Sequence, residues 1–165
     1  MVLLPKKKPI NYIGNNVNLG KNVKIWHFVY IGDETEIGDN VSIGSLSHID
    51  YNVKIGKGSR IAGLAYISPL TIIGKNVFIG PAVVITNDPY PLSSKLSGVT
   101  IEDNAIIGAS SSIKSGVKIG KNSVVGMGSL ITKDVPPNTL VMGSPAKKHY
   151  SRKKYDRKRE AWDKS

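Results

Sequence analysis

The sequence predicts an all-β fold: a parallel β-helix of triangular coils with one projecting loop and a short basic C-terminal segment. Three observations predict it. An aliphatic residue recurs at every sixth position along most of the 165 residues. Glycine, asparagine or aspartate recurs at fixed offsets behind it. The beat breaks once, at Thr86-Asn87-Asp88-Pro89-Tyr90-Pro91, and then resumes.

The beat starts at Ile13 and lands on Leu19, Ile25, Ile31, Ile37, Ile43, Ile49, Ile55, Ile61, Ile67, Ile73, Ile79 and Ile85. It resumes at Ile101 and continues through Ile107, Ile113, Ile119, Val125 and Ile131. Glycine often follows the aliphatic, and a small or β-branched residue stands four positions after it. Three positions after it come residues such as Asn16, Asn22, Asn40, Gly58 and Asn76, types that tolerate the left-handed backbone of a tight corner. A period of six fits neither a helix nor a free hairpin. Short flat strands joined by tight corners satisfy it, and three of them close a coil of eighteen residues. The large aliphatics point inward and stack from coil to coil at about 4.8 Å, so about seven coils make a rod of about 33 Å. Residues 1–148 form this domain, with the loop at 86–98. Residues 149–165 form a basic tail, either frayed or a short helix whose Tyr155 and Trp162 share one face against the last coil.

The chain has no cysteine, which excludes disulfides, thiolate nucleophiles and cysteine-ligated zinc. No apolar run approaches the ~20 residues needed to span a bilayer. In Met1-Val2-Leu3-Leu4-Pro5-Lys6-Lys7-Lys8 the charges follow the apolar stretch, the wrong order for a signal peptide, so a cytoplasmic protein is expected. The net charge is +11, but Lys6 to Lys8 and the segment from Lys147 onward carry most of it. A nearly neutral body argues against nucleic acid as the partner.

The three corner columns differ in character. One reads Asn16, Glu34, Asn52, Leu70 and another Asn22, Asn40, Gly58, Asn76. The third reads Phe28, Leu46, Leu64, Ala82, with Tyr30, His48, Tyr66 and Val84 two positions further on. An apolar stripe on a rod needs a cover, and subunit packing is the expected one. The break leaves from the next corner, after Gly32, Asp50 and Ser68, so residues 87–98 are expected to project beside that interface.

The repeat [Ile/Leu/Val]-Gly-x-x-x-x resembles that of the hexapeptide-repeat transferases from Ile13 to Lys148. The stretches "VFIGPAVVITNDPYP" and "TIEDNAIIGASSSIKSGVKIGKNSVVGMGSLITKDVPPNTLVMGSPAK", with "IWHFVYIGD" earlier, are similar to acetyl-coenzyme A-dependent members acting on nucleotide-linked amino sugars. The resemblance implies a left-handed β-helix, a homotrimer, and acetyl-CoA as co-substrate. It implies a pantetheine arm held by backbone N–H groups at Ala109 and Met127, eighteen residues apart. It assigns Thr132, Lys133, Lys147 and Lys148 to the rest of the coenzyme. Related O-acetyltransferases place a catalytic His where this chain has Tyr90, and no His stands between His48 and His149.

That absence has a chemical meaning. A hydroxyl nucleophile needs a general base, whereas a neutral sugar amine carries its own lone pair. Catalysis then rests on proximity and on donors to the developing oxyanion. Asn87 is the candidate to orient the amine or donate to the oxyanion, and Asp88 to accept a proton; both also suit a plain turn. His48 is the rival base, or interface packing. Tyr66, Thr86 and Tyr90 are the candidate acceptor-binding residues. The expected function is acetyl transfer from acetyl-CoA to an amine of a nucleotide-linked amino sugar. The alternatives are O-acetylation of a small sugar or antibiotic, a carbonic-anhydrase-like metalloenzyme, and a non-catalytic trimeric scaffold. For the metalloenzyme, His27, His48 and His149 are badly spaced, and no metal ligand is assigned.

Overall fold

The repeat folds as its spacing requires. In the computed structural model, which describes residues 10–165, two-residue strands run from Tyr12–Ile13 to Leu130–Ile131. Lys6 to Lys8 lie outside the described residues. Each strand points its beat aliphatic inward and pairs in parallel with its equivalent one coil away, as in Ile31↔Ile49 and Ile49↔Ile67. The result is a left-handed parallel β-helix of three sheets with seven, six and eight strands. The first face runs through Tyr12, Tyr30, His48, Tyr66, Val84, Ser112 and Leu130.

A column of isoleucines fills the interior; Ile31, Ile49, Ile67, Ile85 and Ile113 are essentially inaccessible. Ile13 and Leu19 are exposed because they end the stack. Corner residues take positive φ, 54° at Asn16, 57° at Asn22 and 54° at Asn52. Coil stacking also explains the glycines. A Cβ at Gly44 would stand 2.4 Å from the Gly63 backbone nitrogen, so the close approach of the two coils requires its absence.

After the last coil the chain changes mode. Thr139–Gly143 and Ala146–Ser151 form an antiparallel hairpin on the edge of the third sheet. Strand pairing thus continues past residue 148 to Ser151. Helix α1 follows (Arg152–Trp162), with the Ser151 hydroxyl accepting from Lys154 N–H. Arg152 anchors it. Its Nε donates to both Asp156 oxygens at 2.9 Å, and its Nη1 donates to the Asn104 and Asn122 carbonyls at 3.0 and 3.1 Å. Only half of the expected packing face is used. Tyr155 is half-buried beneath the Arg152 guanidinium, whereas Trp162 is 78% exposed.

Candidate active site

The loop is built from its base. Thr86 Oγ1 donates to the Ile113 carbonyl at 3.2 Å and accepts Ser115 N–H at 3.0 Å, which ties the loop to the next coil. Ser97 N–H donates to the Asn87 carbonyl at 2.7 Å and closes the base. The chain returns through Gly98, where a Cβ would stand 2.0 Å from the Leu70 carbonyl oxygen. The Asp88 carboxylate accepts Tyr90 N–H at 2.9 Å on one oxygen and Ser93 N–H at 3.2 Å on the other. Thr86 and Asp88 are therefore occupied in shaping the loop. Asn87 is half-buried, and its side-chain amide has no hydrogen-bond partner among the described residues. Tyr90 stands at the tip, 79% exposed.

Below the loop the first face carries a ladder of rings. Tyr12 stacks on Tyr30 at 4.7 Å, Tyr30 on His48 at 4.3 Å, and His48 meets Tyr66 at 5.4 Å. The eighteen-residue lattice sets these rings in register. Tyr66 Oη donates to Asp50 Oδ2 at 3.2 Å, and His48 Nε2 stands 3.7 Å from the same oxygen. The other Asp50 oxygen accepts Tyr51 N–H at 2.9 Å. Burial, and then the Asp50 carboxylate, raise the Tyr66 hydroxyl above its ordinary pKa of 10.0. Tyr30 is shifted the same way, chiefly by desolvation and then by Tyr12 and Asp50. Both hydroxyls stay protonated donors at neutral pH. Asp50 was not among the residues expected from sequence, although a signal existed: it is a charged residue directly after Ile49, where glycine is common.

The coenzyme candidates fall into two groups. Ala109 and Met127 stack at one corner, where Gly128 N–H donates to the Ala109 carbonyl at 2.8 Å. Among the described residues, neither Ala109 N–H nor Met127 N–H donates within the chain. The equivalent N–H groups of Asn15, Lys21, Lys75 and Lys121 are capped by Asp33, Asp39, Asp103 and Glu102, whereas those of Ser45 and Gly63, in the same column as Ala109, are uncapped as well. Thr132, Lys133, Lys147 and Lys148 line a second place, a cleft of about 360 Å³ that also holds Pro145 and Ala146. Three ammonium groups around so small a cleft favour an anionic ligand. Asp134 lines it too, but one oxygen of its carboxylate accepts Lys118 N–H at 2.8 Å.

The apolar edge is exposed, with Phe28, Leu46 and Leu64 at 57–60%. These bulky residues hold φ of 59°, 63° and 65°. A left-handed backbone costs an L-residue about 1–2 kcal/mol, which asparagine bears more easily. Among the described residues, no group of three or more His, Asp or Glu side chains is placed to share a metal ion. No helix there is long and apolar enough to cross a membrane.

Residues 34–69 match the family described as bacterial transferase hexapeptide, six repeats, and residues 98–133 match the hexapeptide repeat of succinyl-transferase. A Schizosaccharomyces pombe protein assigned as an acetyltransferase is 46% identical over 79 residues, 43% of this chain and 38% of that protein. The chain thus spans well under half of this curated relative. AntD, an N-acyltransferase from Bacillus cereus solved with dTDP and coenzyme A, superposes with a TM-score of 0.76 over 93% of both chains at 24% identity. The polysialic acid-specific acetyltransferase NeuO superposes with a TM-score of 0.56 at 25% identity, over 86% of this chain and 82% of that one. In its repeats and its coil the chain is similar to the hexapeptide-repeat acyltransferases.

Proposed function

We propose that the protein transfers an acetyl group from acetyl-CoA to an amine of a nucleotide-linked amino sugar, working in the cytoplasm as a homotrimer. The observation that carries the acceptor class is the loop: it offers a free Asn87 amide and no imidazole. A hydroxyl acceptor would need a base there; a neutral amine does not. The AntD structure solved with dTDP-4-amino-4,6-dideoxyglucose and coenzyme A supplies the probe for this class.

The chain's own groups then divide the work. Lys133, Lys147 and Lys148 hold the coenzyme phosphates, with Thr132 beside them. The unpaired N–H groups of Ala109 and Met127 hold the amides of the extended arm. The amine nitrogen attacks the thioester carbonyl, forming the C–N bond. The Asn87 amide donates to the oxyanion, which collapses as the C–S bond breaks. The nitrogen's proton leaves to water or to the departing thiolate. Asp88 acts by holding the loop around Asn87. Phe28, Leu46 and Leu64 seat a second copy, and the exposed Tyr90 carries the loop tip across the seam toward the acceptor.

A panel of nucleotide-linked amino sugars and their hydroxyl counterparts, read by release of free thiol, tests the reading. Turnover of an amine with its hydroxyl twin inert supports it. Turnover confined to hydroxyl acceptors overturns it and favours an O-acetyltransferase with His48, held beside Asp50, as its base.

A further inference from the structure

The outward positions of the three faces are not alike. The second face carries Glu36 and Lys54, paired at 2.9 Å, and Lys118 paired with Glu102 at 2.7 Å. The third carries Lys24 and Arg60. The first carries no charge at all: Tyr12, Tyr30, His48, Tyr66, Val84, Ser112 and Leu130. Its polar atoms gather at one place. Tyr66 Oη and His48 Nε2 both turn to Asp50 Oδ2, and Asp50 belongs to the corner from which the loop leaves, two coils below Thr86. The apolar edge lies on the opposite border of the same face.

We infer that Tyr66, His48 and Asp50, with Tyr30 beneath them, form the wall that binds the sugar ring of the acceptor. This rests on the acetyl-transfer reading and adds the acceptor's position to it. The unpaired N–H groups of Ala109 and Met127 stand on the coils above the loop. They stand at the corners that continue the Phe28–Ala82 column, so a coenzyme arm there leaves the first face of the lower coils, between that column and the loop border, for the acceptor. Two coil spacings, about 10 Å, separate Asp50 from the loop base. That is room for one pyranose ring with its amine toward Asn87. The wall suits such a ring. Tyr66 Oη gives its one proton to Asp50 and offers lone pairs to a sugar hydroxyl, Asp50 is an acceptor, and His48 presents a ring edge that is 44% exposed. The stacked rings fix one another, so little side-chain freedom is lost on binding. Tyr66 and His48 lie between the two borders of the face, and Asp50, which both approach, stands on the loop border.

The test uses the full chain with acetyl-CoA and dTDP-4-amino-4,6-dideoxyglucose as the probe. In Asp50→Asn, Tyr66→Phe and His48→Gln, the KM for the probe should rise by about tenfold, the worth of one hydrogen bond to a ligand. The kcat should fall much less, and the coenzyme A-induced rise in melting temperature should persist. In the wild type, the ring protons of His48, assigned by comparison with His48→Gln, should shift in the NMR spectrum when the probe is added. An unchanged KM with a silent His48 overturns the wall and leaves acetyl transfer standing. A collapse of kcat at constant KM also overturns it, making His48 a proton acceptor. Dissociation of the oligomer in all three variants makes the cluster a subunit contact and overturns it too. If the wild type turns over no amino sugar, the wall falls together with the acceptor class.

Discussion

Asn87 and Asp88 are neighbours with different work. Both Asp88 oxygens are taken by backbone N–H groups of its own loop, while the Asn87 amide is unpaired among the described residues. Asn87→Ala should therefore lower kcat by ~100-fold, the usual loss for one oxyanion donor, with coenzyme A affinity unchanged in calorimetry. Asp88→Ala should make the loop a protease site and lower kcat less. Equal kcat in wild type and Asn87→Ala would remove Asn87 from the chemistry. The turn role of Asp88 was legible in the Asn-Asp-Pro run. The Asp50–Tyr66 pair was harder to see, because its members stand sixteen residues apart and meet only through coil stacking.

Among elements, the hexapeptide strands were fully legible, since one period fixes both the inward column and the register. The hairpin after Ile131 was not, because no lattice governs it, and the helix was legible only as one of two readings of the tail. Arg152 binds two coil carbonyls and Asp156, so Arg152→Ala should free α1 for limited proteolysis while the coil melts almost unchanged. Trp162→Ala should change neither; a large fall in melting temperature there would show packing that its 78% exposure denies. The Glu102–Lys118 pair on the second face predicts a pH effect. The hydrogen bond from Lys118 lowers the Glu102 pKa below its ordinary 4.5. The stability this adds is present above pH 4.5 and is lost as pH falls through the lowered value. Lys118→Met should flatten that acid-side loss of melting temperature; an identical acid limb in the variant would show that the pair contributes nothing.

At the scale of the molecule, the apolar edge is the feature with a backbone cost attached. Leu46 and Leu64 hold φ of 63° and 65°, where other corners use asparagine. Leu46→Asn with Leu64→Asn should leave the coil intact or firmer yet shift the proposed trimer to monomer in light scattering. A trimer that survives the pair would place the interface elsewhere. The rod was legible because six-residue periodicity constrains every coil at once. The cleft was legible only by resemblance, because Thr132, Lys133, Lys147 and Lys148 come together through a hairpin that no period announces. The account depends most on that cleft. Calorimetric titration of coenzyme A into the wild type and into Lys133→Ala/Lys148→Ala tests it most directly. The account predicts one coenzyme A bound per chain, with affinity reduced at least ~10-fold when two of the cleft's charges are removed. No binding to the folded wild type, or equal binding to the variant, would contradict it.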